Sequence, residues 1–162
     1  MAPPVRTSRQ LWIDTGLDLL ATEGPGAVRV EVLAQRLGVT RGGFYRQFGG
    51  RAELVDAMLD AWEQRSTDDV RRRVEAEGGD AAGKARKAGM LTFAPDLLPI
   101  DLAVREWARR DAKVAARLRR VDNRRMDYLR ELISTLSGDA GDVEARAMLA
   151  FSLVIGDHLI AA

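Results

Sequence analysis

The densest cluster of side chains able to make directed hydrogen bonds lies between Thr40 and Gln47. Thr40, Arg41, Tyr45, Arg46 and Gln47 follow one another there, with Gly42 and Gly43 among them. A guanidinium from Arg41 or Arg46 can pair bidentately with the O6 and N7 acceptors of guanine, and the hydroxyls of Thr40 and Tyr45 can donate to phosphate oxygens. Gly42 and Gly43 carry no side chain, so the backbone can come close to a large partner. Each weakens a helix by about 1 kcal/mol relative to Ala, a cost that makes sense at a contact surface. The chemistry on offer is recognition, not bond making.

Such a face must be held by local structure, and the flanking residues supply the parts of a helix-turn-helix. Val30, Leu33, Ala34 and Leu37 recur at helical spacing, and Ala34 is small enough for a second helix to cross closely. Gly38 tolerates the positive φ of the turn, Val39 plugs the junction, and Thr40 stands at the N-cap of the next helix, where its hydroxyl can satisfy a free backbone N–H. Phe44 and Phe48, four apart, anchor that helix inward over about Arg41 to Phe48. An earlier helix from Arg9 to Thr22, with Leu11, Trp12, Thr15, Leu19 and Leu20 near one face, is stopped by Gly24-Pro25-Gly26. An ordinary helical hairpin with a solvated basic face shares this spacing, so a helical interaction or scaffold protein is the competing reading.

The stretch from about Arg9 to Leu59 resembles the N-terminal domain of the TetR family of transcriptional regulators. The likeness rests on Gly24, Leu33-Ala34, Gly38-Val39-Thr40, Phe44-Tyr45-x-x-Phe48 and Arg51-x-x-Leu54. It implies that Tyr45 and Arg51 hold phosphates, that Thr40 contacts the DNA backbone, and that Arg41, Gly42 and Gly43 read bases. This chain departs from the family pattern with Arg51 in place of the common Lys and Gln47 in place of the common His. It also has Arg29-Val30 where a Ser or Thr cap would open the helix before the turn; from that helix end Arg29 could reach a phosphate, and a merely solvated Arg is the alternative. The run from Asp101 to Trp107, with Val121-Asp122, Arg125 and Leu129, is similar to the C-terminal domain of one subgroup. That similarity implies an effector site among the middle helices and a dimer interface built from the last two.

The rest of the chain repeats at three to four residues, without the sustained alternation of strands. Helices are predicted over Arg51 to Glu77, where one continuous rod would span roughly 40 Å, then Ala81 to Phe93, Ile100 to Arg110, Asp111 to Leu136, and from Val143 onward. Trp62, Met90, Phe93, Trp107, Met126 and Phe151 are candidates to line an apolar cavity, with Tyr128 as a polar handle. Core filling is the alternative for each of them. Ala147 to Ile155 is apolar on nearly every side, as a dimer seam requires, and Leu159 to Ala162 continues that character. The chain ends within this run, so the interface is read as incomplete at its C-terminus.

Charge is balanced, with 25 basic and 24 acidic residues in 162, and all the basic residues but Lys84, Lys87 and Lys113 are Arg. Cysteine is absent and His158, beside Asp157, is the one histidine. Thiol chemistry is therefore excluded, a zinc site is disfavoured, and the His–Asp pair reads as a polar contact. Glu75, Glu77 and Asp80 read as a solvated loop, and no phosphate-binding glycine loop occurs. Neither a membrane span nor a signal peptide is legible, and Met1 to Pro4 reads as an unstructured lead.

The expectation is an all-α protein. Residues 1–52 form a three-helix DNA-binding head, and 53–162 a helical body for ligand binding and dimerisation. The function expected is a cytoplasmic homodimeric repressor, neither enzyme nor cofactor protein, released from a palindromic double-stranded operator by a small-molecule effector.

Overall fold

A computed structural model of the chain describes residues 7–159, with side chains from 7 to 157. The lead from Met1 to Pro4, the side chain of His158 and the apolar run after it lie outside the described residues. Among those described, nine α-helices and one short 3₁₀ turn account for the regular structure: α1 Arg9–Glu23, the turn Pro25–Ala27, α2 Val30–Leu37, α3 Arg41–Tyr45, α4 Arg51–Ser66, α5 Asp68–Glu77, α6 Ala81–Thr92, α7 Leu98–Ala108, α8 Ala112–Ser134 and α9 Ala140–Leu159. The fold is all-α, as the periodicity predicts.

Two compact units emerge. The first comprises residues up to 63 together with 99–115, and the second comprises 64–98 and 116–162. By compactness, α7 therefore groups with the helix-turn-helix, whereas a reading along the chain places it in the body.

In the first unit the core is aromatic. Trp12, Phe44 and Trp62 are wholly buried with Leu17, Leu20 and Leu33. Trp12 meets Phe44 edge to face at 5.4 Å, and Phe44 stacks on Phe48 at 5.2 Å. Such ring pairs add to the area term about 0.5–1.5 kcal/mol each. Helix α1 is capped by Ser8, whose Oγ accepts from the Leu11 N–H at 3.2 Å. Its buried surface is wider than the stripe read from sequence. Ile13, Gly16 and Leu17 are buried, while Leu11 is exposed and Thr15 turns its hydroxyl to the Leu11 carbonyl. Neighbours on more than one side create that extra burial, so one helical period cannot reveal it. In α7 the carboxylate of the buried Asp101 accepts from Arg105 Nε at 2.8 Å.

The rod predicted over Arg51 to Glu77 is interrupted at Thr67, whose φ of −127° and ψ of −75° leave the helical region. Asp68 and Asp69 then sit in the first turn of α5, where the helix dipole favours negative charge. That local preference competes successfully with continuing the helix.

In the second unit, Val70, Val74, Ala88, Tyr128 and Leu132 form one apolar cluster, and Met126, Ile133 and Ala147 form another. Arg130 clamps Glu144 through Nε and Nη2, at 2.6 and 2.9 Å, tying α8 to α9. Asp80, read from sequence as part of a solvated loop, caps α6 by accepting from the Gly83 N–H at 2.7 Å. Glu75 accepts from Tyr128 and Lys84, and Glu77 pairs with Lys87. No group of acidic, His or Cys residues suited to a metal ion occurs among the described residues.

Candidate nucleic-acid interface and a second-unit cavity

Helix α2 ends at Gly38, whose φ of 64° and ψ of 32° are left-handed and whose N–H reaches back to Gln35 at 3.1 Å. A β-carbon there would be strained, which is why glycine makes the turn. The chain re-enters helix at Arg41. Thr40 has the extended backbone of an N-cap, but its hydroxyl makes no capping hydrogen bond. The expectation that it satisfies a backbone N–H is corrected: the Thr40 carbonyl accepts from the Gly43 N–H instead.

Phe44 is wholly buried and Phe48 nearly so, and this fixes the rotation of α3. Arg41, Gly42, Tyr45 and Arg46 consequently face outward, Tyr45 with 59% exposure. The helix proper is shorter than read from sequence. It stops at Tyr45, and Gln47 and Phe48 follow in turns whose N–H groups both bond the Phe44 carbonyl. Gly43 is half-buried, and a β-carbon on it would lie 3.8 Å from Trp12, so this residue sits between the exposed face and the core. Arg29 is exposed at the N-terminus of α2.

Three residues assigned to the interface have partners within the protein. The Gln47 side chain reaches the Thr7 carbonyl at 3.4 Å. Arg51 donates through Nε to the Val28 carbonyl at 2.5 Å and through Nη2 to the Pro25 carbonyl at 2.8 Å. Arg41 pairs with Glu31 at 3.3 Å, both well exposed. The backbone at Glu31, followed by Arg41, holds the Glu31 carboxyl below its ordinary range. Arg9 escaped the sequence reading. Its guanidinium lies 4.1 Å from the Phe48 ring centre, donates to the Gln47 carbonyl and reaches Glu53 at 3.0 Å. The Gly49 N–H, followed by Arg9, lowers the Glu53 pKa. No spacing signals these contacts, because they join residues about 40 positions apart in sequence.

The second unit contains a partly open cavity of about 150 Å³. Of the candidates, Phe93, Tyr128 and Phe151 line it. The other candidates lie elsewhere. Met90 is 70% exposed, and Met126 packs with Ile133 and Ala147. Trp107 belongs to the first unit, as does Trp62, which is buried there with its Nε1 unpartnered. The polar lining went unread: Ser66, Thr67 and Asp68 at the break before α5, and Arg71, Arg124 and Arg125. Tyr128 donates to Glu75 at 2.7 Å, and burial, then that bond, pushes its hydroxyl pKa upward. It is a fixed donor that stays protonated.

On α9, Ala147 is buried while Met148, Leu149 and Leu153 are exposed, by 51%, 63% and 71%. The helix thus has one buried face and one unpartnered apolar face. No helix among the described residues is long and apolar enough to cross a membrane.

An all-helical chain with a left-handed glycine turn, an inward Phe44–Phe48 pair and an outward basic face defines a helix-turn-helix protein. Residues 13–58 match the family model described as bacterial regulatory proteins, tetR family. Over 58 residues, 36% of this chain, it is 33% identical to an uncharacterised helix-turn-helix regulator, TtgW, of Pseudomonas putida, and the match spans 43% of that relative's length. A Saccharomonospora viridis transcriptional regulator solved with choline superposes with a TM-score of 0.77 at 18% identity, covering 91% of this chain and 81% of the other. The ketosteroid regulator KstR2 of Mycobacterium tuberculosis gives 0.69 at 16% identity, covering 99% and 86%. Residues 13–58, which hold the helix-turn-helix, thus match the tetR family model, and the chain shares the helical fold of these solved regulators.

Proposed function

We propose that the protein is a sequence-specific DNA-binding transcriptional regulator, a cytoplasmic homodimer that represses from a palindromic operator and is released by a small molecule. The observation that carries this reading is the rotation of α3. With Phe44 and Phe48 buried, Arg41, Tyr45 and Arg46 project together beside the exposed Thr40. In this reading residues 1–52 are the DNA-binding head and 53–162 the body. Arg41 or Arg46 reads a base, with Gly42 and Gly43 permitting close approach, while Thr40, Tyr45 and Arg29 contact the backbone.

Gln47 and Arg51 take a different part. Their hydrogen bonds to Thr7, Val28 and Pro25 support an orienting role, with any phosphate contact by Arg51 added to it. The exposed apolar face of α9 suits a second copy of the chain, since symmetry would give the heads the two-fold relation of a palindrome. The cavity supports a small-molecule effector, which would act by favouring a state whose heads no longer match both half-sites. A similar protein is complexed with choline, so a small polar ligand is within this fold's range.

The test is selection of bound sequences from a random duplex pool, then titration at two salt concentrations. A recovered palindrome with steep salt dependence is the expected result. Folded, dimeric protein that recovers no motif would move the reading to a helical interaction scaffold.

A further inference from the structure

One glycine in the cavity wall has no local reason to be glycine. Helix α6 holds two, Gly83 and Gly89, and each weakens the helix by about 1 kcal/mol relative to Ala. Gly83 is explained by the cap, since a β-carbon on it would lie 2.9 Å from the Asp80 carboxylate oxygen that accepts its N–H. Gly89 has no such partner. It lies inside the helix, its φ is not positive, and a β-carbon would meet only Val154 Cγ2 at 3.7 Å, an ordinary contact. Both residues line the cavity, so the missing side chain leaves room there.

The charged groups of the lining are already neutralised. Arg71 pairs with Glu131 at 2.7 Å, Arg124 with Asp68, and Arg125 with Asp122 at 3.2 Å, and the last two arginines have further partners. A charged ligand would have to open one of these pairs or enter without a counter-ion, and either is costly. The rings do not favour a cation. Arg71 lies over the Tyr128 ring at 4.8 Å and Arg125 over the Phe93 ring at 5.6 Å, so the protein's own cations occupy those faces. A buried hydroxyl, by contrast, is left unsatisfied. Ser66 lines the cavity, is 1% exposed, and its Oγ has no hydrogen-bond partner. A hydroxyl or carbonyl on a ligand would relieve that cost. Val70, Ala88, Phe151 and Val154 add apolar wall.

We propose that this cavity takes an uncharged, compact molecule, apolar except for one hydroxyl or carbonyl that bonds Ser66 Oγ, and that Gly89 sets the upper limit on its size. A volume near 150 Å³ suits a body about the size of a benzene ring. The proposal rests on reading the cavity as the effector site and adds the charge, polarity and size of what enters it.

The experiment is calorimetric titration of the full chain with phenol, cyclohexanol and benzene, and with benzoate, cyclohexylammonium and choline as ions, alongside thermal melts with each. Phenol and cyclohexanol are expected to bind at millimolar concentration and raise Tm. Benzene should bind about fivefold more weakly than phenol, for want of one hydrogen bond, and the ions at least about tenfold more weakly. Ser66→Ala should abolish the preference for phenol over benzene while benzene still binds, a change that a purely structural hydroxyl would not produce. Gly89→Ala should raise the Tm of the free protein through helix propensity, yet weaken phenol and cyclohexanol about tenfold by filling their space. Ions that bind as well as the neutral probes, no binding of phenol or cyclohexanol, or a phenol preference that survives in Ser66→Ala would each overturn the proposal. Unchanged affinity in Gly89→Ala would overturn its size limit. DNA affinity measured in parallel separates the two readings. Neutral probes that bind without changing DNA affinity leave this inference standing and count against effector release. Release of DNA by choline or benzoate, with no binding of the neutral probes, keeps effector control and overturns the uncharged ligand.

Discussion

Arg51 donates to the Val28 carbonyl at 2.5 Å, so the first residue of α4 holds the chain that enters α2. With a second bond to Pro25, the guanidinium fork pins the connection ahead of the helix-turn-helix. Arg51→Ala is expected to lower stability by about 1 kcal/mol as well as DNA affinity. Arg51→Lys keeps the charge but lacks the planar fork, so it should lose stability while keeping the salt dependence of DNA binding. Urea denaturation beside salt-dependent titration reads both; unchanged stability in Arg51→Ala would leave phosphate contact as its sole role.

Arg41 and Tyr45 should separate by kind of defect. Arg41→Ala is expected to cost roughly 1–3 kcal/mol per half-site and to relax selectivity at one base position. Tyr45→Phe should weaken binding to all sequences alike. Repeating the duplex selection with each variant makes the distinction, and a uniform loss for Arg41→Ala would refute its base-reading role.

Gly16 lies against Met58, and a β-carbon there would approach the sulfur to 2.5 Å. Gly→Ala in a helix normally gains about 1 kcal/mol, but Met58 is wholly buried and has little room to retreat. Gly16→Ala should therefore fail to stabilise, and Met58→Ala should cost less in that background than in the wild type. Additive melts in the double-mutant cycle would count against the clash.

Glu53 gives a pH prediction. The Gly49 N–H, followed by Arg9, lowers its pKa from 4.5, so the folded state binds its proton less readily than the unfolded chain. Its contribution is thus present above pH 4.5 and lost as pH falls through the lowered value. Glu53→Gln should be less stable than wild type at neutral pH, with the gap closing below pH 4.5. Equal gaps at neutral pH and well below the lowered value would show that the charge of Glu53 does not contribute.

Leu153, 71% exposed on α9, is the position to test for the dimer. Leu153→Glu places a charge on the apolar face without touching the buried Ala147 side. Sedimentation should show a dimer for the wild type and a shift to monomer for the variant, with operator affinity falling in step.

What the sequence determined by itself was local in origin. Gly38, the Phe44–Phe48 pair and the helical repeat act over a few residues, so the helix-turn-helix and its outward Arg41, Tyr45 and Arg46 could be read directly. The left-handed φ of 64° at Gly38 uses a freedom that glycine has, and its place just after the Val30–Leu37 repeat marks it as the turn. The tertiary structure decided what depends on distant partners. Gln47 turns toward Thr7, 40 residues away, and Arg51 toward Val28, 23 away. The cavity shows this most clearly. Phe93 and Phe151 were legible as large apolar residues and Tyr128 as a polar one, but Met90 and Met126 share the apolar character and lie outside the lining. Ser66 was not legible at all, and Arg125 was legible only as part of a family-like run, not as cavity lining. A helical period says which side of a helix is buried, whereas packing between helices decides which buried groups face an open space.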